Sequence, residues 1–170
     1  MKIRAVLRSM DFRQLWSLFW LCIRHLRFVM PTIRGTRKTV ATCDELYGKK
    51  HHKNGPENAF RHALWNVLIV RRSLDKNLPL DKSLAWAKTI TDWHEDFSPN
   101  SDLARAMDLH NNRVGRDLIA EFPKESEDFL VGQLLKMVPL SRHVLSVAEV
   151  KRTQKEQLKE DNGVLVHIED

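Results

Sequence analysis

The stretch PENAFRHALWNVLIVRRSL, residues Pro56–Leu74, decides the fold. Phe60, Leu64, Val67 and Leu68 fall on one stripe at helical spacing. Pro56 suits a first helical position, because the N–H it lacks would be unbonded there anyway, and Glu57 sits well against the helix dipole. The spacing predicts a helix over Pro56–Leu74. A second pattern shares that helix: Asn58, His62 and Asn66 stand at i, i+4 and i+8, a polar line beside the apolar stripe. Exposed, such a line is cheap. Buried, each amide and imidazole needs a partner, a metal or a substrate.

Helical patterns continue on both sides. Leu80 to about Asp96 reads as a helix with Asp81 as its cap, followed by a turn at Phe97–Asn100. The next helix runs from Asp102 to about Glu121, with Leu103, Met107, Val114 and Leu118 at helical spacing, and Pro123 ends it. Glu125–Val138 forms another, and Ser141–Lys159 a last, more polar one. Val164–Ile168 either pairs as one short strand or stays a tail, and strand signals are otherwise absent. Towards the N-terminus, residues 11–30 form a helix stopped by Pro31, and Thr32–Tyr47 a second one ending at Gly48. Gly48–Gly55 reads as a polar loop with His51 and His52 in solvent. The class is all-α, a single compact domain of six or seven helices. Residues 1–47 form a basic aromatic segment, 48–138 a motif-bearing core and 139–170 a C-terminal helix and tail.

The 170 residues suit one domain, and the net charge of +6 is unevenly placed. Residues 1–53 carry twelve Lys and Arg against three Asp and Glu, whereas the remainder carries sixteen against nineteen. Two cysteines, Cys22 and Cys43, exclude a disulfide framework and point to a reducing, cytoplasmic compartment. The apolar run Leu15–Ile23 is about half the ~20 residues a spanning helix needs, and Arg24 and His25 follow it where a cleavage site would stand. It reads as an uncleaved helix. Trp16, Phe19, Trp20, Ile23 and Phe28, flanked by Arg13, Arg24, Arg27, Arg34, Arg37 and Lys38, have the composition of a helix lying on an anionic membrane surface. On that reading residues 11–38 hold the protein at the inner membrane face. The alternative is a core helix whose aromatics pack into the domain. No groove-reading or base-stacking motif accompanies the charge, which speaks against nucleic acid, and nothing in the sequence speaks to an oligomeric state.

Two further segments carry polar residues at helical spacing. Thr91-Asp92-Trp93-His94-Glu95-Asp96 crowds acids at a helix C-terminus, where the dipole opposes them and a metal or a facing Arg would be needed. Met107-Asp108-Leu109-His110-Asn111-Asn112-Arg113-Val114-Gly115-Arg116 places Asp108, Asn112 and Arg116 at i, i+4 and i+8, with His110 leaning towards the apolar stripe as a core histidine. Gly115 inside that helix costs about 1 kcal/mol against Ala, which close approach of another helix or of a ligand would justify. An Asp108–Arg116 salt bridge is the plain structural alternative. Three long helices thus each present an inward polar line, the way helical bundles build metal and ligand sites.

The strings NAFRHALWN (58–66), DWHE (92–95) and MDLHNNRVGR (107–116) together resemble an uncharacterised bacterial family, a helical domain of unknown function. That resemblance implies the helical class and the importance of these positions, but no reaction. Arg61-His62 with Trp65-Asn66 also faintly resembles the active helix of small prokaryotic phospholipases A2. Ala63 stands where that helix has its calcium-holding Asp, so no mechanism follows.

Two functional expectations result. The first is a hydrolase of ester or phosphoester bonds, with a lipid among the candidate substrates. His62, Glu95, Asp108 and Arg116 would be catalytic, His62 as base or ligand and Arg61 or Arg116 meeting an anion. Asn58, Arg61, Asn66, Asn111 and Asn112 would position substrate. His62, His94, Glu95 and Asp108 would hold a divalent cation, zinc, magnesium, manganese and calcium all being open. The second is a non-enzymatic module that binds a ligand, a partner or a membrane, the polar lines being an interhelical hydrogen-bond network.

Overall fold

In the computed structural model, residues 10–98, 100–160 and 163–169 are described. Among them are seven α-helices: α1 (Phe12–Arg24), α2 (Leu26–Tyr47), α3 (Pro56–Leu74), α4 (Leu80–Phe97), α5 (Asp102–Glu121), α6 (Glu127–Met137) and α7 (Val147–Glu160). Short 3-10 turns lie at Lys50–His52 and Val138–Leu140. Strands β1 (Arg142–His143) and β2 (Val166–His167) pair in parallel. No described helix is long and apolar enough to cross a membrane.

The apolar stripe of α3 widens into an almost complete jacket, with twelve of its nineteen residues buried. Helices α2, α4, α5 and α6 all pack on it. Two glycines set the closest approaches. A Cβ on Gly35 of α2 would stand 2.9 Å from the Ile69 backbone nitrogen, and one on Gly115 of α5 would fall on the Ala63 carbonyl and 2.8 Å from the Ala63 Cα. Gly115 thus serves the approach of another helix. Trp65 and Trp86 donate their indole N–H groups to Thr36 and Thr32 of α2, each at 2.8 Å, which fixes α2 across α3 and α4.

Several expected boundaries move. Pro31 does not stop the N-terminal helix; α2 runs through it, and the break falls at His25, with φ −132° and ψ 39°. Pro31, Gly35, Thr39 and Cys43 form the buried stripe of α2, so packing holds a helix that local propensity would interrupt. Asp81 lies in the first turn of α4 rather than at its cap, which is Pro79. Helix α6 starts after Ser126, whose side chain accepts from the Phe129 N–H. Helix α7 starts at Val147 instead of Ser141, because Arg142–His143 is drawn into the β pair with Val166–His167. The tail therefore does pair as a short strand, closing a second small core of Met107, Val144, Val150 and Val166.

The two kinds of glycine environment separate cleanly in a stability measurement. Gly115→Ala gains about 1 kcal/mol of helix propensity but forces backbone against backbone, so a net loss of about 2 kcal/mol is expected in urea unfolding. Gly132→Ala in α6, with nothing within 4 Å of the new Cβ, should instead gain about 0.5–1 kcal/mol.

Candidate functional site

The close contact of α5 with α3 sets the site. It carries Asp108 of α5 to His62 of α3, while α4 brings Glu95 in its last turn. Glu95 Oε1 lies 3.4 Å from His62 Nδ1, and Asp108 Oδ1 lies 3.2 Å from His62 Nε2. All three residues are buried, with donor atoms within 4.8 Å of one another, a grouping able to hold a metal ion. Arg61 Nη2 approaches His62 Nε2 at 2.8 Å. A guanidinium only donates, so His62 Nε2 is the acceptor and the ring proton sits on Nδ1, towards Glu95. Asp108 Oδ1 then faces a nitrogen that carries no proton. Neither Asp108 Oδ1 nor His62 Nδ1 has an aligned hydrogen-bond partner among the described residues.

The electrostatics of the two carboxylates diverge. Burial pushes the Asp108 carboxyl up to about 6, and the nearby Glu95 adds to the rise, while His62 and Arg61 oppose it. Burial also acts to raise Glu95, but His62, His94 and the Asn112 amide outweigh it and hold that carboxyl below its ordinary value. Amides fix both groups from behind: Asn112 Nδ2 donates to Glu95 Oε1 at 3.1 Å, and Asn100 Nδ2 to Asp108 Oδ2 at 3.2 Å. Asn66 then closes the network. It donates to Asn112 Oδ1 at 2.8 Å and accepts from Arg116 at 2.9 Å and from Thr91 at 3.3 Å.

A cleft of about 90 Å³ opens on one side of His62, lined by α2 (Thr36, Thr39, Val40), α3 (Arg61, His62, Trp65), His94 of α4 and the pair His51 and His52. His94 lines this cleft with its ring edge-to-face on Trp65 at 5.2 Å, outside the His62–Glu95–Asp108 grouping. Burial lowers its pKa below the ordinary imidazole value.

The expected site residues thus divide. His62, Glu95, Asp108 and Arg61 converge. Asn58 accepts from Arg61 Nη2 at 3.2 Å and donates to the Lys53 carbonyl, so it holds Arg61 in place. Asn66, Asn112 and Arg116 lie behind the carboxylates as positioning groups, and Arg116 forms no salt bridge with Asp108. Asn111 is not at the site: its amide brackets Val166, donating to the carbonyl at 2.8 Å and accepting from the N–H at 2.9 Å. His110 is a core histidine whose Nε2 meets the Val164 carbonyl at 2.8 Å. His51 departs from expectation. Instead of lying in a solvated loop it is fully buried, with Nε2 2.9 Å from Asp44 Oδ1, and with His52 and Asp44 it forms a second grouping able to hold a metal. The adjacent His-His pair was the only sequence signal for it, because Asp44 lies on the preceding helix. Nothing in the sequence pointed to Asn100, which reaches Asp108 from a turn.

Residues 19–142 match a family described as "Domain of unknown function (DUF6973)". The chain belongs to this family. The match spans the cleft and all three converging residues, and the family description names no activity. No match was found among curated proteins or among solved structures.

The raised pKa of Asp108 has a sign that can be measured. An acid whose folded pKa is raised from its ordinary 3.8 to about 6 costs nothing at low pH, weakens the fold progressively as pH climbs from its ordinary value to its folded one, and exacts a constant penalty above that. In the presence of a chelator, Asp108→Asn should therefore gain stability relative to wild type between about pH 4.5 and about pH 8, by about 1–3 kcal/mol. Glu95→Gln should go the other way, because the fold favours the Glu95 charge. Thermal melts at both pH values check this, and a pH-independent difference for Asp108→Asn would show the group charged throughout.

Proposed function

We propose that this chain is a hydrolase of ester or phosphoester bonds, its centre being a divalent cation held by His62, Glu95 and Asp108 at the back of the cleft. The observation that carries this reading is the convergence of two buried carboxylates on one imidazole, with Asp108 Oδ1 lacking an aligned hydrogen-bond partner among the described residues. To ligate the cation, His62 would exchange the Arg61 hydrogen bond at Nε2, the nitrogen that faces Asp108, for the metal. Like charges buried together call for a proton or a cation between them. A mixed imidazole and carboxylate set suits zinc, magnesium or manganese, and amides holding the carboxylates from behind are the usual outer support of such a site. Bound there, a divalent cation supplies Lewis-acid polarisation of the scissile group and lowers the pKa of a water.

The remaining roles belong to the cleft walls. Arg61 is held by Asn58 and lines the cleft, where its guanidinium meets the anionic oxygens of a phosphoester or the developing oxyanion of an ester. His94 lines the same cleft apart from the three ligands and, with its pKa lowered by burial, is neutral at pH 7 and able to accept a proton from water. Trp65 and Val40 offer an apolar wall to the rest of the substrate. One observation favours the non-enzymatic reading, in which the polar lines only tie helices together. The Asn66–Asn112–Glu95 chain, with Arg116 and Thr91, is closed and buried.

Metal analysis and turnover separate the two. Purified protein dialysed against zinc, magnesium, manganese and calcium in turn should retain one cation per chain. With that cation it should hydrolyse bis(p-nitrophenyl) phosphate or p-nitrophenyl acetate and lose that activity in chelator. Asp108→Asn and Glu95→Gln should each lose the cation and at least about a hundredfold in rate, while circular dichroism stays helical. Absence of both cation and turnover in the wild type would leave the network as structural.

A further inference from the structure

Helix α1 inverts the usual arrangement of an amphipathic helix. Its large apolar residues Phe12, Trp16, Phe19, Trp20 and Ile23 follow i, i+4, i+7, i+8 and i+11, a single stripe. In a core helix that stripe would face the domain. Here it faces outward: Phe12 is 78% exposed, Trp16 53% and Phe19 51%, and no residue of α1 is buried. Phe12, Trp16, Phe19 and Trp20 touch one another ring to ring along the outer face, so the ridge is continuous. The ridge extends past the His25 break to Leu26, which is 68% exposed. The opposite face of α1 anchors it to the body. Trp93 Nε1 donates to Ser17 Oγ at 3.0 Å, Gln14 reaches the Phe97 carbonyl at 3.4 Å, and Leu18 and Leu21 pack on the main core.

The charges around the ridge decide what covers it. Arg13, Arg24, Arg27, Arg34 and Arg37 are all exposed, and none forms an ion pair among the described residues. The single acid of α1 and its cap, Asp11, is taken up in capping through the Gln14 N–H. A second copy docked through the same ridge would bring these guanidinium groups face to face, which a symmetric interface cannot relieve. An anionic bilayer meets both demands, since aromatic rings sit at headgroup depth and arginines pair with lipid phosphate.

We infer that the outer face of α1 and the first turn of α2 form a docking surface for an anionic phospholipid membrane. This inference does not depend on the chemistry of the cleft. It has a geometric consequence for it, because Ser17 and Gln14 tie α1 to the end of α4 that carries His94 and Glu95.

Sedimentation of the full chain with phosphatidylcholine vesicles, with and without phosphatidylglycerol, tests the surface. Binding is expected to the anionic vesicles, to weaken with added salt and to be much smaller on the neutral ones. The exposed double variants Trp16→Ser/Trp20→Ser and Arg24→Glu/Arg27→Glu should each reduce partitioning about tenfold or more with melting temperature preserved. Lys76→Glu/Lys82→Glu, on the exposed flank before and within α4, should leave it unchanged. Three results would overturn the inference. One is equal binding to neutral and anionic vesicles. Another is no binding together with a dimer, seen by analytical ultracentrifugation, that the tryptophan variant dissolves. The third is binding that emerges only after residues 1–9 are removed.

Discussion

The contact between Gly115 and Ala63 is the constraint on which the rest of the molecule depends. Ala63 follows His62 on α3, and Gly115 lies two turns along α5 from Asp108. With no Cβ at 115 the two backbones touch, and only at that separation can side chains as short as Asp108 and Asn112 span the gap to α3. The same logic operates on the opposite flank, where Gly35 lets α2 lie against Ile69 and brings Thr36 and Thr39 to the cleft. A helix jacketed on nearly every side has its polar line forced inward, and the site is the result of that burial.

Burial sets the chemistry as well as the geometry. Glu95 and Asp108 occupy nearly the same environment, yet they are supported differently. Glu95 faces the Nδ1 side of His62 and an amide donor, and its charge is favoured. Asp108 faces the proton-free nitrogen of the same ring, and desolvation dominates it. His62 favours the charge of both carboxylates, but at Asp108 burial and the neighbouring Glu95 outweigh it, so one acid stays charged well below pH 7 and the other titrates at about 6. Environments that push paired acids apart mark places where protons or cations are handled. The asymmetry of net charge falls into place beside this. The cations gather on α1, α2 and the following loop, whereas the polar site lies in the mildly acidic body.

The fold was legible where periodicity and punctuation agreed. Helix α3 spans Pro56–Leu74 and α5 spans Asp102–Glu121, as their apolar spacing and flanking breakers indicate. The spacing of Asn58, His62 and Asn66 announced a line that would need satisfying, and the structure puts all three in the interior. Local signals failed where long-range packing overrode them. Pro31 reads as a stop, yet sits in the buried stripe of α2. Arg142 and His143 read as the start of a helix, yet pair with a strand more than twenty residues away. Asn111 and Asn112 are adjacent and chemically identical. The rotation of about 100° between neighbours on α5 sends the first to the backbone of β2 and the second to Glu95.

The sequence by itself determined the helical class, the bounds of α3 and α5 and the shortlist of polar residues, because each of these is written in spacing along one chain segment. It left open whether the aromatic stripe of α1 faces the core or the solvent, since amphipathicity defines a face without saying what the face meets. It left open which of ten candidate polar positions share a site. Those choices belong to the tertiary structure. They depend on how closely backbones approach and which side chains lose water together, and both are set by contacts between segments far apart in the chain.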